Sequence, residues 1–505
     1  MGQGQKGRGR AIMVQGTTSY AGKSTLVTAL CRIFRQGGLS VAPFKAQNMS
    51  NNAYVTAAGE EVARAQAVQA EAAGVAVSAD MNPLLLKPQA EAGSQVIVRG
   101  RPLGVYSARA YHEMADELWP VVTESLDRLL ATYDIVVIEG AGSPAEINLR
   151  HVDLVNMRVA RYCRAPVLLV GDIDRGGVFA ALYGTWALLE PEERALLRAF
   201  VINKFRGDVT ILEPGLGMLQ ERTGIPTLGV LPYFRDIQVP SEDSLSLQER
   251  PHRGGEGALL EIAVLRLPRI ANFDDFEPFE RDPGVAIRYV ERPTELAAAD
   301  CVIIPGTKAT MADLRFLRER GLAEALLARH RAGVPVIGIC GGYQMLGARI
   351  VDPDLLEGDR RDMSGLGLLD GETTFSPVKA TRQVRARIGA HEGLLAAAAG
   401  VEVAGYEIHM GQTLVRDQTP FSNILGADEE HPDGAVASSG LVFGTYLHGL
   451  FHNDAFRRVL LEALAARKGV VLPPVAPPAE DPYDLLAARI REHLDVQAVL
   501  RLVGP

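Results

Sequence analysis

Two parts of the chain repeat one pattern. Short, nearly all-apolar runs bounded by Gly, Pro or Asp alternate with longer stretches whose apolar residues recur every three to four positions. In the first half the short runs fall at residues 11–15, 135–138, 167–170, 200–202 and 227–231. Runs without polar alternation are strands buried on both faces of a parallel sheet. Residues 24–36 read as a helix with Leu26, Val27, Leu30, Ile33 and Phe34 on one face, and residues 114–131 read as another. Strands alternating with helices predict βαβ units. The pattern stops at about residue 240, where a polar stretch with Pro and Gly predicts a linker over 241–257. A second series follows, with strands at 259–265, 301–304, 334–339 and 441–445 and a helix at 310–319. A Pro-rich connector after Gly469 leads to a single helix over 483–502. The expected fold class is α/β: two α/β domains with mainly parallel sheets, over 1–240 and 258–455, and a helical tail over 456–505.

Composition narrows the function classes. The 505 residues carry 52 Lys and Arg against 61 Asp and Glu, a net charge of −9. That balance provides no electrostatic footprint for nucleic acid and no polybasic patch for a membrane surface. No run of apolar residues is long enough to cross a bilayer. Cys31, Cys163, Cys301 and Cys340 are far apart and lack metal-ligand spacing, which suits a reducing cytoplasm. The expected partners are small molecules.

Gly16, Thr17, Gly22, Lys23, Ser24 and Thr25 belong to a Gly-rich stretch between a predicted strand and a predicted helix. Small residues there let backbone N–H groups converge on phosphate oxygens at the positive end of a helix. Lys23 would bridge the outer phosphates of a nucleotide and the Ser24 hydroxyl would bind Mg²⁺. Gly16 and Gly22 are separated by one residue more than in the common phosphate loop. The stretch resembles the loop of the dethiobiotin synthetase-like P-loop proteins, which activate carboxylates with ATP. That resemblance implies that Glu139, just past the run at 135–138, is a second Mg²⁺ ligand. Asn203-Lys204-Phe205-Arg206 is similar to the base-reading segment of GTPases, but Arg206 replaces the carboxylate that pairs with guanine. ATP is therefore the expected nucleotide, with Asn203 toward its base.

In the second half, Gly338-Ile339-Cys340-Gly341-Gly342 joins a strand to a helix. Flanking glycines permit the sharp turn that exposes a nucleophile, and the helix N-terminus favours the thiolate. His448 follows another predicted strand and is the expected base. The pattern over about 258–455 resembles class I glutamine amidotransferase domains. The resemblance implies that Cys340 attacks the glutamine side-chain amide, that His448 moves the proton, and that Gly306, Thr307 and Gly341 hold the oxyanion. The family's usual Glu would stand at 450, where this chain has Leu450. Glu407, Asp454 or no group at all then orients His448.

A P-loop ligase domain followed by a glutaminase lacking that Glu resembles the cobyric/cobyrinic acid amidases. The segments 43–52, 171–179, 305–310 and 405–411 are similar to the branch that forms cobyric acid. The resemblance implies ATP- and glutamine-dependent amidation of four carboxylates (b, d, e and g) of adenosylcobyrinic acid a,c-diamide, a corrinoid. Gln47, Asn48, Asn51, Asn52, Asp172 and Asp174 are then candidates for substrate contact, with Asp174–Arg175 equally readable as an ion pair. Competing readings are an a,c-diamide synthase or a related amidoligase, and a P-loop switch or sensor with an inert glutaminase-like domain.

Overall fold

In the computed structural model, residues 8–90, 93–234, 257–357, 360–390, 392–426, 430–475 and 480–504 are described. Of the linker expected over 241–257, only Gly257 lies within them. The apolar runs of the first half form a parallel sheet of six strands, in the order Thr227–Pro232, Leu197–Phe205, Val167–Asp172, Arg10–Gly16, Ile135–Glu139 and Val41–Phe44. Apolar side chains cover both faces, with Phe44, Val136 and Phe200 on one side and Val14, Leu30 and Val137 on the other. Arg10–Gly16 lies inside the sheet, so the Gly-rich stretch emerges from the middle of its C-terminal edge, where open α/β sheets bind ligands.

The second series forms another sheet, ordered Val285–Val290, Leu260–Leu265, Cys301–Ile304, Val336–Ile339, Val442–Thr445 and Ala435–Val436. All its neighbours run parallel except the last. Cys340 and His448 both follow the C-terminal ends of adjacent strands.

Two mixed, mainly antiparallel sheets were outside the sequence expectation. Gly371–Ile388 pairs with Glu402–Val415 and Ser422–Leu425, and Leu84–Ala90 pairs with Gly93–Val98. Gly371–Ile388 alternates buried with exposed positions and carries Arg382, Arg385 and Arg387, so it lacks the continuous apolar run that marks a doubly buried strand. The tail also differs from a single helix. Pro482–His493 and Val496–Val503 are separate helices, broken at Leu494–Asp495, where Gly229 of the first sheet forms a bridge to Leu494.

The C-terminal segments divide between the cores. Asp454–Lys468 buries Phe456, Leu460 and Leu464 in the second core. Pro482–His493 returns to the first, burying Leu486, Ala487 and Ile490 against the helix Lys23–Gln36. Arg32 Nε reaches Asp484 Oδ1 at 2.6 Å and clamps that contact.

The cores meet at a polar seam. Ala53 N donates to Asn272 Oδ1 at 2.9 Å, Phe273 N donates to Asn52 Oδ1 at 3.3 Å, and Arg64 Nε lies 3.0 Å from Asp274 Oδ2. Glu61 is buried between Lys87 and Lys379, one from each half. Burying these charges is offset only because each has an opposite charge beside it.

Ile490→Ala should destabilise the first core by about 2–5 kcal/mol, because a fully buried side chain leaves a cavity. Trp119 and Trp186 both belong to the first core, so urea unfolding followed by tryptophan fluorescence reads that transition. An unchanged midpoint would show that the last helices are not part of the first core.

Candidate active site

The first centre is built on the turn between Gly16 and Lys23. Gly22 has φ 100°, and a Cβ there would lie 1.8 Å from Asn203 Nδ2, so only glycine fits. Asn203 Nδ2 donates to Ala21 O at 2.9 Å, which places this side chain as a brace beneath the loop. Thr17 N is held by Val170 O at 2.9 Å, while Thr25 is exposed on the first helical turn. Lys23 Nζ donates to the carbonyls of Thr18 at 3.0 Å and Gly142 at 3.3 Å, and thus arches over the loop.

Ser24 Oγ donates to Glu139 Oε1 at 2.9 Å. Glu139 is fully buried, and its charge is met by Lys45 Nζ at 2.9 Å and by the Gln69 amide at 2.5 Å. A hydroxyl beside a carboxylate at the mouth of a phosphate loop is a hard-oxygen donor pair. It suits Mg²⁺, which takes few protein ligands and completes its shell with phosphate oxygens and water. Lys45 and Gln69 were not among the sequence candidates, although Lys45 lies in the segment 43–52.

That segment divides between the two domains. Asn48 Nδ2 donates to Gln66, Gln66 to Gln69, and Gln69 to Glu139, a relay of side-chain amides ending at the phosphate loop. Gln47 Oε1 accepts from the Tyr111 hydroxyl at 2.8 Å. Asn51 Oδ1 is buried and has no hydrogen-bond partner among the described residues. Asn52 faces the second domain instead, across the polar seam. Asp172 and Asp174 lie at the end of the strand beside the loop, paired differently from the sequence alternative: Arg175 and Lys204 approach Asp172, and Arg206 approaches Asp174.

The second centre forms where two strand ends converge. Cys340 has φ 50° and ψ −108°, a strained conformation for a non-glycine residue and one concentrated at functional sites. Its N–H donates to Thr445 O at 2.8 Å, which ties the elbow to the strand that carries His448. Gly342 packs so closely on the neighbouring strand that a Cβ would lie 2.0 Å from Ile304 O. Gly306 is equally close to the pair: a Cβ there would lie 3.0 Å from His448 Cε1 and 3.7 Å from Cys340 Cβ. Gly341 abuts Thr307, whose hydroxyl is anchored on Arg269 O at 3.1 Å and on Asp313. The three expected oxyanion residues therefore surround the thiol.

His448 is buried and stacked on Tyr406 at 5.3 Å, and it lines the same cavity as Cys340, whose thiol donates to Ile408 O at 3.8 Å. Its Nδ1 lies 2.7 Å from Asp275 Oδ2, and the other Asp275 oxygen accepts from Gly449 N at 2.7 Å. Burial by itself would lower the imidazole pKa, but the Asp275 carboxylate and the Cys340 sulfur outweigh it and push it up to about 10. Neither sequence candidate fills this place. Glu407 pairs with Arg382 on the antiparallel sheet, and the Asp454 side chain is largely exposed beside Arg457. The overlooked signal was Phe273-Asp274-Asp275-Phe276: two carboxylates among large aromatics, both buried, are rarely there for solubility.

Comparison with known proteins identifies the family of each domain. Residues 12–246 match the family described as "CobQ/CobB/MinD/ParA nucleotide binding domain" and residues 261–456 match "CobB/CobQ-like glutamine amidotransferase domain". A cobyric acid synthase of Sorangium cellulosum (strain So ce56) is 52% identical over 98% of each chain. One from Dehalococcoides mccartyi (strain ATCC BAA-2266 / KCTC 15142 / 195) is 50% identical, again over 98% of each chain. One from Chloroflexus aurantiacus (strain ATCC 29366 / DSM 635 / J-10-fl) is 49% identical over 97% of this chain and 99% of its own. A P-loop domain and a glutaminase-type domain in this order, with near-half identity along the whole length, place the chain in the cobyric acid synthase family of glutamine-dependent ligases.

Proposed function

We propose that this enzyme amidates the b, d, e and g carboxylates of adenosylcobyrinic acid a,c-diamide, using ATP for activation and ammonia released from glutamine at Cys340. The observation that carries the reading is the Cys340–His448–Asp275 line beside the Gly306–Thr307 backbone, in one chain with a complete phosphate loop. Asp275 argues against an inert glutaminase-like domain, the reading that Leu450 had left open.

At the glutaminase centre the Cys340 thiolate adds to the amide carbon of glutamine. Backbone N–H groups of Gly341 and the Gly306–Thr307 segment receive the oxyanion, and His448 gives a proton to the departing nitrogen. Ammonia leaves, and water then releases glutamate from the thioester. Asp275 is a positioning residue: it holds the ring with Nδ1 inward, so that Nε2 faces the thiol, and it stabilises the imidazolium. At the ligase centre a carboxylate oxygen of the corrinoid attacks the γ-phosphorus of ATP, releasing ADP. Ammonia displaces phosphate from the resulting acyl phosphate. Lys23 neutralises charge on the transferring group. Ser24 and Glu139 would hold Mg²⁺, which would supply further charge neutralisation on the phosphates.

Incubation with the corrinoid diamide, ATP, Mg²⁺ and glutamine, followed by mass analysis, should reveal four successive amide gains. An unchanged diamide, with two gains on the unamidated corrinoid instead, would assign the a,c-diamide reaction.

Three variants test the division of labour. Cys340→Ala should lose glutamine-dependent amidation and keep amidation with ammonium salt at mildly alkaline pH; full glutamine-dependent activity would sink the assignment. Lys23→Ala should lose amidation with either nitrogen source while Cys340 stays alkylatable, because Lys23 acts in the phosphoryl-transfer transition state. Asp275→Asn should lower glutaminase kcat by about 10²–10⁴-fold, the range seen when a base loses its orienting carboxylate. The sign of its pH effect follows from the forces on the ring. A raised pKa keeps the imidazolium until the pH rises through about 10. Without Asp275 burial dominates, so in the variant the corresponding limb of the pH–rate profile should fall below neutrality. A profile that stays in place would remove Asp275 from this role.

A further inference from the structure

The cavity that contains Cys340 and His448 is also lined by Lys308 and Glu357, which the mechanism above does not use. Lys308 immediately follows the oxyanion residues, and its backbone N–H is fixed by Arg269 O at 3.1 Å. Its half-buried ammonium forms no hydrogen bond or ion pair among the described residues. The neighbouring cations are committed elsewhere: Lys87 and Lys379 share the carboxylate of Glu61. Glu357 reaches the cavity from the far side, one oxygen accepting from Thr310 N at 2.8 Å. The two opposite charges face the same space and do not close on each other. Each is disfavoured as it stands. Burial, followed by the like charges of Lys379 and Lys87, pulls the Lys308 ammonium below its usual range and burial pushes the Glu357 carboxyl up, their mutual attraction offsetting only part of this.

A zwitterion relieves both. Glutamine carries an ammonium and a carboxylate on one carbon, three bonds from the amide carbon that the thiol attacks. We propose that Lys308 and Glu357 form the clamp for this head group, Lys308 taking the α-carboxylate and Glu357 the α-ammonium. The inference rests on Cys340 being the glutaminase nucleophile. It answers a selectivity problem that the proposed reaction creates. Every turnover installs a primary amide on the corrinoid, chemically the same group as the glutamine side chain. Only the zwitterionic head group distinguishes the amide to be cleaved from the amides to be kept, and a buried charge pair rejects a ligand that leaves it unmatched.

Two reagents that alkylate Cys340 separate the clamp from the elbow. 6-Diazo-5-oxo-L-norleucine carries the amino-acid head group, and iodoacetamide carries neither charge. In the full chain, Lys308→Met and Glu357→Gln should each slow inactivation by the diazo-oxo amino acid about 10–100-fold, the worth of one charge-assisted hydrogen bond. They should raise the glutamine KM and leave the iodoacetamide rate and ammonia-dependent amidation unchanged. The Glu357→Gln side chain keeps a carbonyl oxygen as acceptor for Thr310 N. Unchanged labelling by the amino-acid reagent overturns the clamp, as does an equal loss with both reagents, which marks a structural role. If the unsubstituted enzyme is alkylated by iodoacetamide but releases no ammonia from glutamine, the glutaminase assignment fails before the clamp is tested.

Discussion

An ionised carboxylate removed from water needs donors, and Asp275 has two: the His448 ring and the Gly449 backbone. That pair of bonds fixes the histidine, the turn that bears it and the sulfur it faces. The cost of burying the charge is offset only while both donors remain in place. Its neighbour Asp274 is buried too, and its countercharge is Arg64 of the other domain. Consecutive carboxylates thus face opposite ways, one into the glutaminase and one into the ligase.

The seam around them is polar and specific. The Asn272 side chain accepts from Ala53 N and the Asn52 side chain from Phe273 N across it, and the Tyr406 hydroxyl, whose ring stacks on His448, donates to Ala53 O at 3.1 Å. On the ligase side the same segment continues through Asn48, Gln66 and Gln69 to Glu139. One segment, residues 48–53, therefore makes polar contacts toward the phosphate loop at one end and toward the stacking partner of the imidazole at the other. Such contacts hold the two centres in one register, whereas an apolar interface would allow them to slide.

Much of this was legible in the sequence, for identifiable reasons. Strands such as Val167–Asp172 are apolar throughout because helices cover both faces of the sheet, and that leaves an unmistakable run. The phosphate loop and the cysteine elbow are local: glycine spacing and strand–helix context lie within a dozen residues. Asp275 was missed because its partner is 173 positions away: the flanking aromatics mark a buried carboxylate, but nothing local to the helical turn Phe273–Arg281 ties it to His448. The long strand Gly371–Ile388 was missed because its solvent face is charged. Asn203 was legible as part of the nucleotide site, but its amide braces the loop through Ala21, a contact only the folded chain displays.

The last two helices carry a consequence for how the protein is made. Leu486, Ile490 and Val499 complete the hydrophobic layer over the helix Lys23–Gln36, yet the whole glutaminase is translated between them and the first sheet. The ATP-binding core is discontinuous in sequence. Domains usually fold in the order in which they leave the ribosome. Here the N-terminal core emerges first and closes last, with one apolar face uncovered until the final residues arrive. Its maturation is thereby tied to full-length synthesis, so a truncated chain would present an open hydrophobic surface to the cell's quality control rather than a free-standing ATPase.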